Sequence, residues 1–145
     1  MNETIVRFGY PDTVIEEYAH WVVLLRPAQP TLGSLVLAAK GPATAFSQLA
    51  PDAFAELGRV VADIESRLGD AVGYSKINYL MLMMVDPHVH FHVIPRYEGA
   101  RSAAGVTVRD AGWPKAPALN EAVELDAEQI QALVGWLRSG WPSAR

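Results

Sequence analysis

Three of the chain's four histidines lie at alternate positions in one short stretch, DPHVHFHVIPRY, which spans residues 86–97. They are His88, His90 and His92. In a β-strand, alternate side chains project from the same face, and neighbouring Cα atoms on that face lie about 6.6–7 Å apart. The stretch therefore predicts a strand with three imidazoles on one face and apolar side chains on the face that enters the core.

The chemistry available to this row follows from the imidazole group. Three adjacent protonated rings would repel one another, so crowding and burial favour the neutral form near pH 7. A neutral imidazole can act as a nucleophile, a general base or a metal ligand. Because structural histidines seldom occur in such a row, the pattern favours a chemical role over a structural one.

Two interpretations of the row remain open from the residues alone. The first is a metal site, in which alternate histidines supply two ligands and a further residue, with Asp86 as the nearest carboxylate, supplies a third. The second is nucleophilic catalysis at phosphorus, in which one imidazole attacks while its neighbours orient it and stabilise charge on the phosphoryl oxygens. In that case His90, the central member, is flanked by two donors on its own face.

Two strands and a helix are predicted before the histidine stretch. Residues 21–25 (WVVLL) and 34–40 (SLVLAAK) have the composition of buried strands, and the Pro-rich turn between them predicts an antiparallel hairpin with a long loop. Residues 51–68 carry apolar side chains at helical spacing. Pro51 suits the first position of this helix, and Gly69 suits its C-terminus.

The sequence nearer the C-terminus predicts two more strands and a second main helix. Residues 76–85 are apolar on both faces, as in a covered central strand, and their methionines are expected to fill the core. The histidine strand follows and should end at Pro95. Residues 98–124 are expected to be mostly irregular, and a capping box formed by Asp126 and Gln129 begins the last helix. Strands in hairpins with separate helices indicate an α+β fold with an antiparallel sheet.

Length and composition limit the classes of protein to which the chain can belong. Its 145 residues, 50% hydrophobic and 19% charged, fit one compact domain, residues 1–145. The formal net charge of −4 and the lack of a basic run argue against a nucleic-acid partner. Cysteine is absent, the N-terminal stretch lacks the apolar core of a signal peptide, and the longest apolar run is too short for a bilayer. The chain is therefore expected to be soluble and cytoplasmic, with no membrane partner.

The stretch HVHFHVI resembles the His-φ-His-φ-His-φ-φ signature of the histidine triad (HIT) family, where φ is an apolar residue. The Pro95-Arg96 pair that follows is similar to the common ending of that motif, and the order of the upstream elements extends the resemblance to about residues 15–97. It implies an α+β HIT-like fold with an antiparallel sheet of about five strands, two main helices and a homodimer that joins two sheets. Residues 98–145 would add an irregular segment and a C-terminal helix.

The resemblance also implies a function, and it is strongest to bacterial HIT-like hydrolases of uncertain substrate. Family members cleave small nucleotide derivatives at the α-phosphate through a covalent nucleotidyl-histidine, which water or another acceptor resolves, and no metal or other cofactor is implied. Carried over to this sequence, His90 is the nucleophile and His92 hydrogen-bonds the phosphoryl group. His88 would help to fix the orientation and tautomer of the attacking ring.

Three positions depart from the family pattern and leave the substrate open. Ser34 stands where many members have a histidine, and it could donate one hydrogen bond to the substrate or belong only to the turn. Residues 24–26 (LLR) stand where many members bind ribose, and Arg26 could contact phosphate or be an exposed arginine of the turn. Residues 83–85 (MMV) replace a polar group that precedes the triad in many members, so the source of the leaving-group proton is unassigned, with Asp86 as a candidate.

Two further residues are candidates for substrate binding. Asn78 is polar within an apolar strand, and it could line the pocket or lie at the exposed start of the strand. Trp113, in a Gly- and Pro-rich loop, could stack on a base or fill a gap in the core. The sequence thus predicts a nucleotidyl hydrolase or transferase that acts through His90. A catalytically weak nucleotide-binding protein and a histidine-ligated metal protein are the alternatives.

Overall fold

A computed structural model describes residues 1–142 and confirms the predicted α+β class. The strands span Val14–Glu17 (β1), Trp21–Leu25 (β2), Ala28–Gln29 (β3), Leu35–Ala39 (β4), Lys76–Leu80 (β5), His90–Arg96 (β6), Ala100–Ala103 (β7), Val106–Arg109 (β8) and Val123–Glu124 (β9). The helices span Glu3–Arg7 (α1), Pro51–Val72 (α2) and Ala127–Arg138 (α3), with single 3-10 turns at Phe46–Gln48 and Leu119–Glu121. Five antiparallel strands form the main sheet in the order β1-β2-β4-β6-β5, and β3-β9 and β7-β8 form two short pairs.

Both faces of the main sheet are covered, and this explains why every residue of β2 and β4 is buried. On one face, α2 and α3 close the larger core, whose buried members include Trp21, Val23, Leu37, Val60, Ile64, Leu68, Val93, Leu133 and Leu137. On the other face, a smaller cluster joins α1 to the sheet through Ile5, Val14, Val22, Leu24, Val36 and Ala38. Because Val36 and Ala38 pair directly with His92 and His90, both histidines project from this more thinly covered face.

Helix α2 begins where the sequence predicts but extends further. It passes through Gly69 and ends after Val72, which is 5% exposed and packs in the larger core. Gly73, with a φ of 63°, takes the left-handed conformation that closes the helix. The predicted end at Gly69 is therefore wrong by one turn. Within residues 1–142, no helix is long and apolar enough to cross a membrane.

Helix α3 begins with the predicted capping box, which the structure confirms. The backbone N–H of Gln129 donates to the Asp126 carboxylate at 2.8 Å, and the N–H of Asp126 donates to the Gln129 side chain at 3.0 Å. These reciprocal bonds satisfy two N–H groups that would otherwise lack an acceptor at the start of the helix.

The histidine strand starts and ends later than the sequence predicts. β6 begins at His90, so His88 precedes it, and the strand continues through Pro95 to Arg96. The last residue of β6 that pairs with β4 is Val93, so Pro95 lies where β6 is paired only with β5. A proline without an N–H is tolerated there because one side of the strand needs no ladder hydrogen bond.

The strand before the histidines is shorter than predicted, and it lies at the edge of the sheet and not at its centre, so the prediction of a central strand is wrong. β5 ends at Leu80, and residues 81–87 form a loop that turns at Met83, whose φ is 51°. Met84 is 86% exposed, so the expectation that it fills the core is wrong. Met81 and Met83 are partly buried against the larger core. The apolar run predicts burial but does not show where the chain leaves its partner strand.

Residues 98–124, expected to be mostly irregular, contain a hairpin. β7 and β8 are joined by Ala104 and Gly105, both with positive φ. A two-residue turn of this kind usually carries Asn-Gly or Asp-Gly, so alanine at its first position hides the hairpin from sequence analysis. Val106 and Val108 of β8 are buried in the larger core, which fixes the hairpin on the domain.

Candidate active site

His90 and His92 line a pocket on the thinly covered face of the sheet. Their ring centroids lie 5.1 Å apart, and the two residues are 2% and 9% exposed. The pocket has a volume of about 330 Å³, enough to admit a phosphoryl group with part of its substituents. We call it the histidine pocket; its lining residues are Phe8, Arg26, Leu82, Met83, Met84, Val85, Asp86, His90 and His92.

The backbone of His88 fixes the tautomer of the neutral His90 ring. Nδ1 of His90 lies 2.7 Å from the carbonyl oxygen of His88. Since a carbonyl oxygen can only accept, Nδ1 carries the proton and donates it. In the neutral ring this leaves Nε2 with an unshared electron pair. Nε2 of His90 is therefore the nitrogen equipped for nucleophilic attack.

His88 contributes its carbonyl to the site, and its side chain does not line the histidine pocket. Nδ1 of His88 lies 2.9 Å from Oγ1 of Thr4, and the backbone N–H of His88 donates to the same oxygen at 3.2 Å. Thr4 is fully buried in α1. These bonds hold in place the residue whose carbonyl orients His90. The three rings therefore do not form a uniform row, because two line the pocket and the third ties the start of β6 to α1.

Arg26 fixes the protonation of the His92 ring. Nε of Arg26 donates to Nδ1 of His92 at 3.3 Å, so the neutral ring carries its proton on Nε2. The guanidinium is itself held by a hydrogen bond to the carbonyl oxygen of Ala28. Burial, followed by the charge of Arg26 and the proximity of His90, lowers the pKa of His92 to about 4. His92 is thus neutral at pH 7 and offers an N–H donor.

The low pKa of His92 predicts that the protein loses stability in mild acid. Between pH 6.5, the ordinary value, and about pH 4, the unfolded ring binds a proton that the folded ring does not. Proton uptake by the unfolded state therefore lowers the stability of the fold in acid. The free energy of unfolding should be unaffected by His92 above pH 6.5 and should fall by up to about 3 kcal/mol as the pH drops to about 4. Urea unfolding of the wild-type protein and of His92→Gln across this range measures the difference. Equal losses in both proteins would show that His92 titrates normally.

The N-terminal helix α1 helps to enclose the histidine pocket, and sequence analysis missed it. The ring of Phe8, directly after α1, lies 5.6 Å from that of His90 and 5.8 Å from that of His92, measured between centroids. The helix is capped by Asn2, whose side chain accepts from the Ile5 N–H at 3.0 Å. Asparagine followed directly by an acidic residue is the signal that could have located this helix start.

An ion pair joins α1 to the loop that borders the pocket. Nη1 of Arg7 donates to Oδ1 of Asp86 at 2.7 Å, and the two side chains are 54% and 14% exposed. Asp86, the candidate proton source, thus lines the histidine pocket while it is engaged by a guanidinium. The pair ties the loop that contains Asp86 to α1.

Of the four candidate substrate-binding residues, Arg26 is the one that lines the histidine pocket. Ser34 is fully buried, and its hydroxyl donates to a carbonyl oxygen within its own turn at 2.8 Å, so it stabilises the approach to β4. Asn78 and Trp113 line a second pocket farther along β5 and β6. Asn78 and Trp113 therefore lie together in this second pocket, and neither lines the histidine pocket.

The metal-site interpretation lacks a set of ligands. Across residues 1–142, no three histidine, cysteine, aspartate or glutamate side chains are grouped so that they could hold a metal ion. The histidine pocket instead combines an imidazole with a free electron pair, a neutral N–H donor and a guanidinium. Those groups suit nucleophilic attack at a phosphorus atom whose oxygens carry negative charge.

Comparison with known proteins gives one family match and a set of structural relatives. A family model described as HIT domain matches residues 10–99. A histidine triad protein from Bradyrhizobium japonicum is 20% identical, with a TM-score of 0.74, and the match covers 97% of this chain and 96% of the other. For a histidine triad protein from Sinorhizobium meliloti 1021, the identity is 21%, the TM-score 0.73 and the coverage 96% and 94%. Diadenosine triphosphate hydrolase from Plasmodium falciparum is 11% identical, with a TM-score of 0.67, and the match covers 89% of this chain and 76% of the other. Among curated protein sequences, none matches the chain.

Proposed function

The chain belongs to the HIT domain family, and from this membership we propose that it cleaves nucleotide derivatives at the α-phosphate through a covalent nucleotidyl-histidine. His90 is the nucleophile. The observation that carries the proposal is the 2.7 Å contact between Nδ1 of His90 and the His88 carbonyl, since in the neutral ring it places the electron pair on Nε2 of a residue that lines the pocket. The name of one structural relative, a diadenosine triphosphate hydrolase, supports the same class of substrate.

The reaction consists of two substitutions at phosphorus. In the first, the electron pair on Nε2 of His90 forms a bond to the α-phosphorus, and the bond from phosphorus to the leaving group breaks with its electron pair. In the second, a water oxygen bonds to phosphorus, the P–N bond breaks, its electron pair returns to Nε2, and the water releases a proton. The products are the nucleoside monophosphate and the leaving group. An acceptor other than water would make the reaction a transfer.

Two neighbours of His90 stabilise charge on the phosphoryl oxygens. His92 supplies its Nε2–H as a donor, and Arg26 supplies a positive charge that persists at neutral pH. Both residues are largely withdrawn from water, where such interactions are stronger than in bulk solvent. Neither group has to change its protonation during the reaction. The mechanism requires no metal ion, so a chelator should leave the rate unchanged.

Mass spectrometry of the intermediate tests the proposed function. Wild-type protein mixed with the p-nitrophenyl ester of AMP and rapidly quenched should gain the mass of one adenylyl group, and His90→Ala should gain none. EDTA should change neither the adduct nor the rate of p-nitrophenol release. An adduct that persists in His90→Ala would contradict the assignment of the nucleophile, and a rate that collapses with EDTA would restore the metal interpretation.

The loop beside the pocket favours one alternative, a nucleotide-binding protein with weak catalysis. Residues 83–85 carry only apolar side chains, so they offer no proton to a departing group. Titration calorimetry with AMP, together with turnover assays on a phosphoramidate, a dinucleoside polyphosphate and a nucleotidyl sugar, separates the two functions. AMP binding without cleavage of any of the three substrates would favour the alternative.

We also propose that two chains join their sheets in a homodimer. β5 is the last strand in the sheet order, so its outer edge is unpaired within residues 1–142. Tyr79 of β5 contacts Phe91, which in turn contacts Phe46, and Phe46 packs on Phe54. Phe46 and Phe54 are 43% and 42% exposed. An unpaired strand edge beside exposed aromatic side chains has the features of a protein interface.

The dimer proposal predicts the effect of a charge within the aromatic cluster. Phe54→Glu should reduce the mass measured by size-exclusion chromatography with light scattering from that of two chains to that of one, because the carboxylate would be buried without a partner. Gln131→Glu, at an exposed position of α3, is the matched control and should leave the mass unchanged. A wild-type protein with the mass of one chain would contradict the proposal.

A further inference from the structure

A second pocket, of about 480 Å³, adjoins the histidine pocket on the same face of the sheet. We call it the tryptophan pocket; its lining includes Lys76, Asn78, Leu80, Arg96, Trp113 and Lys115. Leu80 of β5 pairs directly with His92 of β6, and the Cα atoms of such pairs lie about 4.5–5.5 Å apart. Because Leu80 lines one pocket and His92 lines the other, a ligand held at His92 reaches the tryptophan pocket by extending past one residue pair.

The most buried polar group of the tryptophan pocket is the guanidinium of Arg96, a residue that is 3% exposed. Nε and Nη2 donate to the Asp110 carboxylate, Nη2 also donates to the Lys115 carbonyl, and Nη1 donates to Oδ1 of Asn78. These four bonds use four of the five N–H groups that a guanidinium carries. Within the described part of the chain, one N–H on Nη1 is left without an acceptor.

The other polar side chains of this pocket are donors as well. Asn78 accepts from Arg96 through Oδ1, so its NH₂ group is the part that remains for a ligand. The ammonium groups of Lys76 and Lys115 have no acidic partner among residues 1–142. The carboxylate of Asp110 neutralises Arg96 and does not line the pocket. The pocket therefore presents donors without free side-chain acceptors, and the two lysines contribute positive charge that no carboxylate offsets.

The remaining lining of the pocket is largely apolar. Trp113, Pro114 and Pro117 form it, and Trp113 is only partly buried. An indole and proline rings offer a surface on which a planar ring can lie. The pocket thus combines a cationic side with a side suited to an aromatic or other apolar group.

We propose that the tryptophan pocket receives the leaving group of the reaction and that this leaving group is a phosphate-bearing anion. The inference rests on the proposed function. In that reaction His90 takes the nucleotidyl group, and the tryptophan pocket holds the group on the other side of the bond that breaks. Ionised phosphate oxygens only accept hydrogen bonds, and they therefore match a lining made of donors and cations. Lys76 and Lys115 are both exposed, so water solvates their ammonium groups when no ligand is bound, and a phosphate offers them an ionic contact that an amine or a neutral alcohol does not.

The chemistry of departure points to the same class of leaving group. When Nε2 of His90 attacks, the electron pair of the breaking P–O bond passes to the leaving oxygen. Residues 83–85 offer no proton, and the arginines that line the two pockets do not release one at neutral pH, so a proton for the leaving group has to come from Asp86 or from the ammonium groups of Lys76 and Lys115. An amine leaving group would need that proton, whereas a phosphate oxygen departs as a stable anion, since the second pKa of a phosphate monoester is about 6. The negative charge gained on departure lies on the side where Lys76 and Lys115 line the pocket.

Two substrates with the same AMP half test this inference. Diadenosine triphosphate releases ADP, whereas the p-nitrophenyl ester of AMP releases p-nitrophenolate, which carries no phosphate. In the double variant Lys76→Ala/Lys115→Ala, kcat/KM should fall about ten-fold or more for diadenosine triphosphate and stay within about two-fold for the ester. The charge-matched control Arg109→Ala/Arg138→Ala removes two exposed cations that line neither pocket and should change neither value.

The outcomes separate this inference from the proposed function. Equal losses on both substrates, or no loss on either, overturn the leaving-group assignment and leave the role of His90 intact. A wild-type protein that cleaves the ester but not diadenosine triphosphate also overturns it. A wild-type protein that cleaves neither substrate and forms no adduct overturns the proposed function, and the inference falls with it.

Discussion

Asparagine in place of His90 is expected to lower the turnover number for nucleotide cleavage by at least about 10⁴-fold while the fold persists. The asparagine amide can still donate to the His88 carbonyl, as Nδ1 of His90 does at 2.7 Å. Its nitrogen has no electron pair available for attack, so the covalent intermediate cannot form. Initial rates of p-nitrophenol release measure the loss, and thermal unfolding checks that the variant is folded.

Two other histidine variants separate the loss of the nucleophile from general damage to the site. His88→Ala keeps the carbonyl that orients His90 and removes the ring that bonds to Thr4, so turnover should fall by only about ten-fold. His20 lies outside the histidine pocket, and His20→Asn should leave turnover unchanged. Equal losses for His88→Ala and His90→Asn would show that the ring at position 88 is as necessary as Nε2 of His90, and would contradict the claim that His88 acts through its carbonyl.

The period of two in the histidine stretch correctly predicts that His90 and His92 share a face, because the alternation of side chains along a strand is a local property. The same rule fails for His88, which precedes β6. Where a strand starts depends on its partners, and the backbone N–H of His88 bonds to Thr4, 84 positions away in the sequence. Local periodicity therefore identifies two rings of the pocket but not the part played by the third.

The rest of the histidine pocket depends on contacts between segments that are distant in sequence. Arg26 donates to His92 across 66 positions, and Arg7 donates to Asp86 across 79. Neither contact follows from the local pattern around its residues. Arg26 is a candidate phosphate contact only because it lies where many family members bind ribose. No family pattern points to Arg7. The sequence thus points to His90 and His92 more readily than to the guanidinium that contacts His92.

Alanine in place of Asp110 is expected to lower the free energy of unfolding by about 3–5 kcal/mol. Its carboxylate meets Arg96 at two points, with distances of 2.7 Å from Nε to Oδ2 and 3.1 Å from Nη2 to Oδ1, and both side chains are more than nine-tenths buried. Without the carboxylate, the guanidinium stays buried with no counter-charge. The backbone N–H groups of Tyr97, Gly112 and Trp113 lose an acceptor as well.

Urea unfolding against a surface control measures this effect. Glu17→Ala breaks the partly exposed pair with Lys40 and should cost less than about 1 kcal/mol. The double variant Asp110→Leu/Arg96→Met should recover part of the loss, because the cost of burying the charges disappears together with the charges. If Asp110→Ala proved as mild as Glu17→Ala, water would have to reach Arg96 in solution. The guanidinium of Arg96 would then not be held in one position, and Asn78, whose Oδ1 accepts from it, would lose its anchor in the tryptophan pocket.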